Sequence, residues 1–276
     1  MLPFTKMHSL GNDFVLLDGV RRPFHLGRDH IQRLADRHRG IGCDQLIVAE
    51  PGQNGADFSM RIFNTDGSEA EQCGNGARCF AKFLHDEGLT DQTRLVVDTG
   101  SRLIQLEIED NWQVMVDMGA PGFEPSALPF DAQDEANVYQ LDVAGEMVEI
   151  SAISMGNPHA VLLVDDVDTA PVERLGSAIE WHSRFPQRTN VGFACPSTRS
   201  KIRLRVWERG VGETLACGSG ACAAAVACYR LGRIDEEIEV ELPGGIASVR
   251  WAGQGPVFLR GPAVTVYRGE IDPDAL

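Results

Sequence analysis

The chain has 276 residues, of which 43% are hydrophobic, and this apolar content suffices for one large or two medium globular domains. Its 40 acidic side chains outnumber its 25 basic ones, so the formal net charge is -15. Because nucleic-acid phosphates and anionic lipids repel such a charge, we expect no nucleic acid and no membrane among its partners.

The first residues, MLPFTKMHSLGNDF, contain no sustained apolar run of the kind found in secretory signals. The longest apolar run, residues 221–229, is too short to span a bilayer as a helix. We therefore expect a cytoplasmic protein whose seven cysteines are reduced thiols. None of these cysteines forms a CxxC pair, so the sequence predicts no metal site.

Short segments bounded by Gly, Pro or Asp, often alternating between apolar and polar residues, predict that strands predominate. In chain order these segments are residues 57–63, 94–97, 103–108, 113–117, 202–207, 238–242, 247–251 and 264–267. After Cys73 the apolar residues fall at helical spacing, which predicts a helix that ends at Gly88. A second helix follows Cys217 and ends at Gly232. Because it is apolar on nearly every face, we expect it to be enclosed.

One part of the chain occurs twice. Residues 61–88 align without a gap with residues 205–232, and eight of the 28 positions are identical. A second pair of segments, residues 9–17 and 154–162, recurs upstream in the same order. Repeated blocks in one order at nearly constant spacing indicate an internal duplication.

The duplication predicts the architecture. We expect an α+β fold with two homologous, pseudo-symmetric domains, each a curved and mostly antiparallel sheet around a central helix. The boundary falls in the stretch rich in Gly and Pro at residues 118–129. The predicted domains are residues 1–118 and 119–262, with residues 263–276 packing back onto the first.

Cys73 and Cys217 each precede a Gly-x-Gly at a predicted helix start. Unpaired backbone N–H groups and the helix dipole favour negative charge there, so we expect a thiol with a lowered pKa that acts as a base or nucleophile. The glycines also let a carboxylate or phosphate approach the backbone closely. The remaining cysteines are predicted to be small buried hydrophobic side chains: Cys43, Cys79, Cys195, Cys222 and Cys228.

Two matched thiols suit one kind of chemistry in particular. If one thiolate removes a proton from one face of a carbon while the other thiol returns a proton to the opposite face, a stereocentre inverts without a cofactor. Asn12 and Asn157 follow a glycine in both copies, which is equally consistent with ligand contacts and with a repeated turn. A hydrolase has no need of two matched thiols. A thiol redox or binding protein stays open as a different class.

Two blocks, NTDGSEAEQCGNGAR at residues 64–78 and ACGSGACA at residues 216–223, resemble the cysteine motifs of the diaminopimelate epimerase family. The blocks KMHSLGNDF, GIGCDQ, SMGNPH, RTNVGF and WERGVGET resemble the family's other motifs in the same order. The resemblance implies a cofactor-independent isomerase that interconverts LL- and meso-2,6-diaminoheptanedioate in lysine biosynthesis. It also implies a homodimer, with the strand that ends at Tyr267 in the interface.

Carried over by position, the resemblance implies that Cys73 and Cys217 are the acid and base residues, supported by His159 and Glu208. The implied substrate contacts are the side chains of Asn12, Gln45, Asn64, Asn157, Asn190, Glu208 and Arg209 and the cradles at Gly74, Asn75, Gly218 and Ser219. Arg209 suits a bidentate grip on a carboxylate, and Glu208 suits an ammonium group. A proline or hydroxyproline racemase, which needs no grip on a second carboxylate, is the closest alternative on the same fold.

Overall fold

The computed structural model describes residues 1–70 and 73–275, and it divides into two compact units. The first unit consists of Met1–Asp117 and Arg260–Leu276, of which Leu276 lies outside the described residues. The second unit is Met118–Leu259. The proposed domain bounds, including the return of residues 263–276 to the first domain, stay a prediction.

The first unit is a sheet of mixed direction. Its strands are β1 (Leu2–Ser9), β2 (Asn12–Asp18), β3 (Gln45–Pro51), β4 (Phe58–Asn64), β5 (Glu69–Ala70), β6 (Arg94–Asp98), β7 (Leu103–Ile108), β8 (Gln113–Asp117) and, near the end of the chain, β18 (Val264–Ile271). β1 pairs antiparallel with β2 and β18, and β2 runs parallel to β3. β4 is antiparallel to β3 and β5 and parallel to β6, and β7 is antiparallel to β6 and β8.

The register of these strands places polar side chains at one edge of the sheet. Leu10 and Gly11 both have positive φ (52° and 85°), as a two-residue type I′ turn between β1 and β2 requires. Asn12 begins β2 directly after this turn. Gln45, the first residue of β3, lies opposite Asn64, the last residue of β4. All three amide side chains therefore belong to the same end of neighbouring strands.

Two helices pack on the sheet of the first unit. α1 (Arg28–Ala35) connects the parallel strands β2 and β3 and buries Ile31, Leu34 and Ala35. α2 (Gly74–Asp86) contacts β1, β2, β3, β7 and β8 and is buried over its first three turns. This contact is close at Gly76, where an added Cβ would lie 2.9 Å from Ile47 Cδ1.

The second unit repeats the same order of pairings. Its strands are β9 (Tyr139–Val143), β10 (Glu146–Ser154), β11 (Pro158–Leu163), β12 (Asn190–Thr198), β13 (Lys201–Glu208), β14 (Gly212–Thr214), β15 (Glu237–Leu242) and β16 (Gly245–Arg250), and β17 (Phe258–Pro262) leads back to the first unit. β10 is antiparallel to β9 and β11, and β11 runs parallel to β12. β13 is antiparallel to β12 and β14 and parallel to β15, which pairs antiparallel with β16.

The helices of the second unit follow the same plan. α3 (Val172–Glu180) connects β11 and β12, and its Gly176 lies so close to Trp207 that an added Cβ would be 2.6 Å from the tryptophan Cβ. α4 (Gly218–Arg230) contacts β10, β11, β12, β13, β15 and β16. Nine consecutive residues of α4, from Gly220 to Cys228, are buried, and most are alanine or cysteine. Such small side chains let a helix lie within a shell of strands.

The fold class predicted from the sequence is confirmed: the described residues form an α+β fold in which strands predominate, and each unit encloses one helix. All eight predicted strand segments are strands, and both predicted helices end before the expected glycines, Gly88 and Gly232, which have φ of 64° and 67°. Among the described residues, no helix is long and apolar enough to cross a membrane.

Candidate active site

In the first unit, Cys73 is the N-cap residue of α2. Its sulfur accepts a hydrogen bond from the backbone N–H of Gly76 at 3.3 Å. The thiol also lies 3.9 Å from the side-chain oxygen of Asn12 at the start of β2. Asn75, in the first turn of α2, donates to that same oxygen at 3.1 Å. The structure thus brings three predicted site residues, Asn12, Cys73 and Asn75, together at the start of α2.

Two further amides form a pair at the same edge of the sheet. Gln45 donates from Nε2 to Asn64 Oδ1 at 3.0 Å, and Asn64 donates in turn to the hydroxyl of Ser68 at 3.1 Å. The pairing fixes the direction of both amides without a charged group. It leaves hydrogen-bonding capacity on each amide for a polar ligand.

In the second unit, Cys217 is the N-cap residue of α4, and its side chain is buried. Ser219, two residues further along, has its hydroxyl 3.7 Å from the sulfur. Glu208, the last residue of β13, lies beside the thiol and accepts a short hydrogen bond from Thr214. The Cys217 thiol therefore lies between its helix start and a carboxylate.

The electrostatics of Cys217 differ from the sequence-based expectation of a lowered thiol pKa. Burial raises the pKa of Cys217 well above its ordinary value, and the negative charge of Glu208 raises it further. The hydrogen bonds from Gly220 and Ser219 act in the opposite direction and are outweighed. The expectation is wrong for this residue because the hydrogen bonds at the helix start lower the pKa by less than burial and the neighbouring carboxylate raise it.

His159 and Asn157 come from the β10–β11 connection and the start of β11. His159 Nε2 lies 3.0 Å from Asn157 Oδ1. Burial lowers the pKa of His159 from 6.5 to about 3, and the positive charge of Arg209 acts in the same direction. The imidazole is therefore neutral at physiological pH, and with the amide oxygen as acceptor its hydrogen is on Nε2.

Asn190 joins two strand ends of the second unit. It lies opposite His159 at the start of β12 and is buried. Its Nδ2 donates to the carbonyl of Pro158 at 3.0 Å, and its Oδ1 accepts from the backbone N–H of Arg209 at 3.0 Å. The Arg209 side chain is exposed and donates to the carbonyl of Gln187 at 3.1 Å. Asn190 thus holds the turn that presents Glu208 and Arg209.

The structure adds two residues to this picture that the sequence analysis missed. Glu180, 3% exposed at the end of α3, accepts from Trp207 Nε1 and from the backbone N–H of Gly210, both at 2.8 Å. Its position four residues after Gly176 and eight after Val172, on the buried face of α3, is the signal for a buried carboxylate. Asp44, which precedes Gln45, accepts a hydrogen bond from Asn12. In the sequence, only its place in the GIGCDQ block pointed to the site.

The cysteines outside the two sites are mostly buried. Cys43, Cys79, Cys222 and Cys228 are buried as predicted, and burial raises the pKa of Cys43 to about 12. Cys195 differs from the prediction, because it is half-buried and its thiol donates to the carbonyl of Asp165 at 3.1 Å. Its position near the end of β12, where the strand becomes exposed, explains the difference.

The chain matches one protein family and close curated relatives over most of its length. The model of the family described as diaminopimelate epimerase matches residues 4–124 and 151–266. The curated diaminopimelate epimerases of Ectopseudomonas mendocina (strain ymp) and Stutzerimonas stutzeri (strain A1501) are 54% and 55% identical over 273 residues, which is 98% of this chain and 99% of each relative.

Solved structures with much lower sequence identity share the fold. A probable proline racemase from Agrobacterium radiobacter K84 has a TM-score of 0.72 at 14% identity, covering 99% of this chain and 93% of its own. A phenazine biosynthesis protein of the PhzF family from Bacillus anthracis has a TM-score of 0.70 at 19% identity, covering 98% of both chains. From the family match and the close curated relatives, this chain belongs to the diaminopimelate epimerase family.

Proposed function

We propose that this chain is the isomerase that interconverts LL- and meso-2,6-diaminoheptanedioate by two-base proton transfer through Cys73 and Cys217. The observation that carries the mechanism is that each cysteine is the N-cap of an enclosed helix in its own unit. Full-length relatives of the same family carry the substrate assignment. The reaction belongs to lysine biosynthesis.

In the proposed reaction, one sulfur is a thiolate and the other a thiol. The thiolate takes the α-hydrogen as a proton, and the electron pair of the C–H bond remains on the α-carbon. The other thiol gives its proton to the opposite face of that carbon, so the stereocentre inverts and the charges of the two sulfurs exchange. Backbone N–H groups at Gly74 and Gly218 stabilise the charge that develops on the α-carboxylate.

The environment of Cys217 supports its role as the proton donor. Because burial and Glu208 raise its pKa, the sulfur is a thiol at neutral pH. When the reaction runs in the other direction, Glu208 is placed to take the thiol proton and release the thiolate. Neutral His159 acts as a hydrogen-bonding group, since protonating it would put a charge in a buried site.

The end of the substrate that does not react is assigned to the turn after β13. Arg209 replaces Thr65 and Glu208 replaces Asn64 when the two copies are aligned. The exposed guanidinium of Arg209 suits a bidentate bond to the second carboxylate. Asn12, Gln45, Asn64, Asn75, Asn157 and Asn190, together with Ser219, are proposed as the remaining polar contacts or supports. A substrate with one reacting end calls for this asymmetry between the copies.

We also propose a cytoplasmic homodimer. The outer part of β18 carries exposed apolar side chains, among them Val266 at 55% and Tyr267 at 46% exposure. The Tyr267 ring packs edge-on against Phe4 at 5.9 Å, which holds it in place as part of a surface. Light scattering on the wild type and on Tyr267→Lys tests this point: the variant is expected to shift toward the monomer.

The mechanism is tested by epimerisation in deuterium oxide. Starting from the LL isomer, the wild type should form meso product with one solvent deuterium at the inverted α-carbon, as measured by chiral chromatography and mass spectrometry. Cys73→Ala and Cys217→Ala should both abolish epimerisation, whereas Cys195→Ala, the matched control, should retain it. Epimerisation by either active-site variant would contradict the two-base scheme. Turnover of proline but not of diaminopimelate would contradict the substrate.

A further inference from the structure

The side-chain amides beside Cys73 have a defined direction. An asparagine amide presents an acceptor oxygen on one side and a donor nitrogen on the other, so a neighbour with only one role selects its orientation. Asn12 donates from Nδ2 to the carboxylate oxygen Oδ2 of Asp44 at 2.8 Å. A carboxylate only accepts, and therefore the oxygen of Asn12 must point to the other side. That side is where Cys73 lies, at 3.9 Å.

Asp44 is itself held in place. Its Oδ1 accepts from Arg37 at 2.7 Å, and its Oδ2 accepts from the backbone N–H of Asp13 at 3.0 Å. Asp13 binds the same guanidinium through two hydrogen bonds, of 2.7 and 3.0 Å. Although burial opposes it, the hydrogen bonds from Arg37 and Lys6 hold the pKa of Asp13 well below its ordinary value. Asp44 is 44% exposed, but both of its carboxylate oxygens accept hydrogen bonds from neighbouring groups.

The second amide is fixed from the opposite end. Arg78 is fully buried, and its Nη2 donates to Asn75 Oδ1 at 2.6 Å. A guanidinium only donates, so the amino group of Asn75 points away from it and donates to Asn12 Oδ1 at 3.1 Å. Ser9 accepts from Arg78 at 3.0 and 2.8 Å and anchors the guanidinium. Gly261 leaves room for it, since an added Cβ there would lie 3.1 Å from Arg78 Nε.

The result is a series of hydrogen bonds in which each residue donates to the next: Arg78 to Asn75, Asn75 to Asn12, and Asn12 to Asp44. Its consequence for Cys73 is an acceptor oxygen beside the thiol, which favours the S–H form and orients its hydrogen. If Asn12 turned over, an N–H group would face the sulfur and favour the thiolate.

In the second unit, neither of the two charged residues that end this series of hydrogen bonds is present at the equivalent position. Thr189 stands at the position of Asp44, and Cys222 stands at the position of Arg78. There, the oxygen of Asn157 contacts His159 instead. The orienting network therefore serves only the cysteine of the first unit.

We propose that Asp44 and Arg78 are positioning residues that lock the Asn12 and Asn75 amides, so that Cys73 meets an amide oxygen. This inference rests on the proposed function for its role in proton transfer. Its physical content, the orientation of an amide beside a thiol, is measurable without substrate.

The test is Asp44→Asn, which keeps the shape but offers Asn12 both a donor and an acceptor. Alkylation of each cysteine by iodoacetamide is followed across pH by mass spectrometry. The profile of Cys73 should move to lower pH, and its rate at pH 7 should rise about threefold for each pH unit of displacement. The profile of Cys217 should not change.

A double-mutant cycle separates an effect through Asn12 from a direct effect of the Asp44 charge. In an Asn12→Ala background, Asp44→Asn should no longer alter Cys73 alkylation. Asp235→Asn, which removes an exposed aspartate paired with Arg199 at 2.7 Å, serves as the control and should leave both profiles unchanged. Asp44→Ser provides a second variant should the first fail to fold.

An unchanged Cys73 profile in Asp44→Asn, or a displacement that persists without the Asn12 side chain, would overturn the inference. Neither result would affect the proposed function, which depends on epimerisation by the wild type. Conversely, a wild type without epimerase activity would refute the proposed function and leave the alkylation result interpretable.

Discussion

Arg205 and Glu213 form a bidentate ion pair between β13 and β14, with hydrogen bonds of 2.6 and 2.8 Å. Arg61 and Glu69 form the same pair between β4 and β5, at 2.9 and 3.3 Å. These four residues are among the identities of the internal repeat. In both units the acidic partner lies on the short strand that ends three residues before the site cysteine. The repeated pair therefore ties each short strand to its neighbouring strand.

Replacing Arg205 with Met should lower the free energy of unfolding by about 1 kcal/mol, because a partly buried, bidentate pair is lost. It should also lower kcat, since the segment before Cys217 loses its anchor. Urea unfolding and initial rates measure the two effects. Arg94→Met is the matched control: Arg94 also gives two hydrogen bonds to a glutamate across a strand pair, but it is 78% exposed. An equal loss of stability in both variants would contradict the anchoring role.

Glu180→Gln should weaken the turn that carries Glu208 and Arg209. The buried carboxylate accepts from two N–H groups, and a glutamine would turn its own amino group toward one of them. An unsatisfied buried donor costs about 1–3 kcal/mol, so the unfolding free energy should fall by that amount. KM for diaminopimelate should rise as Arg209 loses its position.

Glu173→Gln provides the control for this prediction, because Glu173 lies on the exposed face of the same helix. It should leave KM unchanged and lower the unfolding free energy by less than about 1 kcal/mol, because only a favourable charge in the first turn of the helix is lost. If Glu180→Gln lowered stability without changing KM, Glu180 would support the fold alone.

The free energy of unfolding should depend on pH because the pKa of His159 is lower in the folded chain than in the unfolded chain. Its pKa is about 3 in the folded chain and 6.5 in the unfolded chain, so between these values only the unfolded state binds the proton. Stability should therefore fall as the pH decreases below 6.5, by up to about 1.4 kcal/mol per pH unit. Urea unfolding between pH 7.5 and 5 measures the slope above the range where carboxylates titrate.

The slope should be smaller in His159→Gln and unchanged in His25→Gln, because His25 is exposed. Equal slopes in the wild type and His159→Gln would show that the imidazole takes up its proton while buried.

The sequence predicted the parts of the fold that have strong local patterns. β7 and β8 were found with their observed bounds, and the two enclosed helices were found from apolar spacing and their terminal glycines. It did not predict α1 and α3, which have only eight and nine residues. Short helices of this kind depend on tertiary burial more than on their own propensity, so their sequences alone give little signal.

The sequence predicted the site residues that belong to a repeated motif, but it did not predict properties that depend on burial in the folded protein. Cys73 and Cys217 recur with their glycines, and the roles assigned to them stay a prediction. The direction of the Cys217 pKa could not be read from a helix start, because it depends on Glu208, nine residues away in sequence, and on the depth of burial. Asp44 and Glu180 were missed because their hydrogen-bond partners are distant in sequence and meet them only in the folded protein.

Removing the Glu208 charge should make Cys217 more reactive. Because Glu208 raises the pKa of the buried thiol, Glu208→Gln should lower that pKa and increase the thiolate fraction at pH 8. Alkylation of Cys217 by iodoacetamide should accelerate about threefold for each unit of lowered pKa, since the gain in thiolate exceeds the loss in nucleophilicity. Glu239→Gln, on an exposed face of β15, should leave the rate unchanged. A Cys217 rate that is unaffected by Glu208→Gln would mean that burial alone keeps the thiol protonated, and Glu208 would then lose its proposed part in releasing the thiolate.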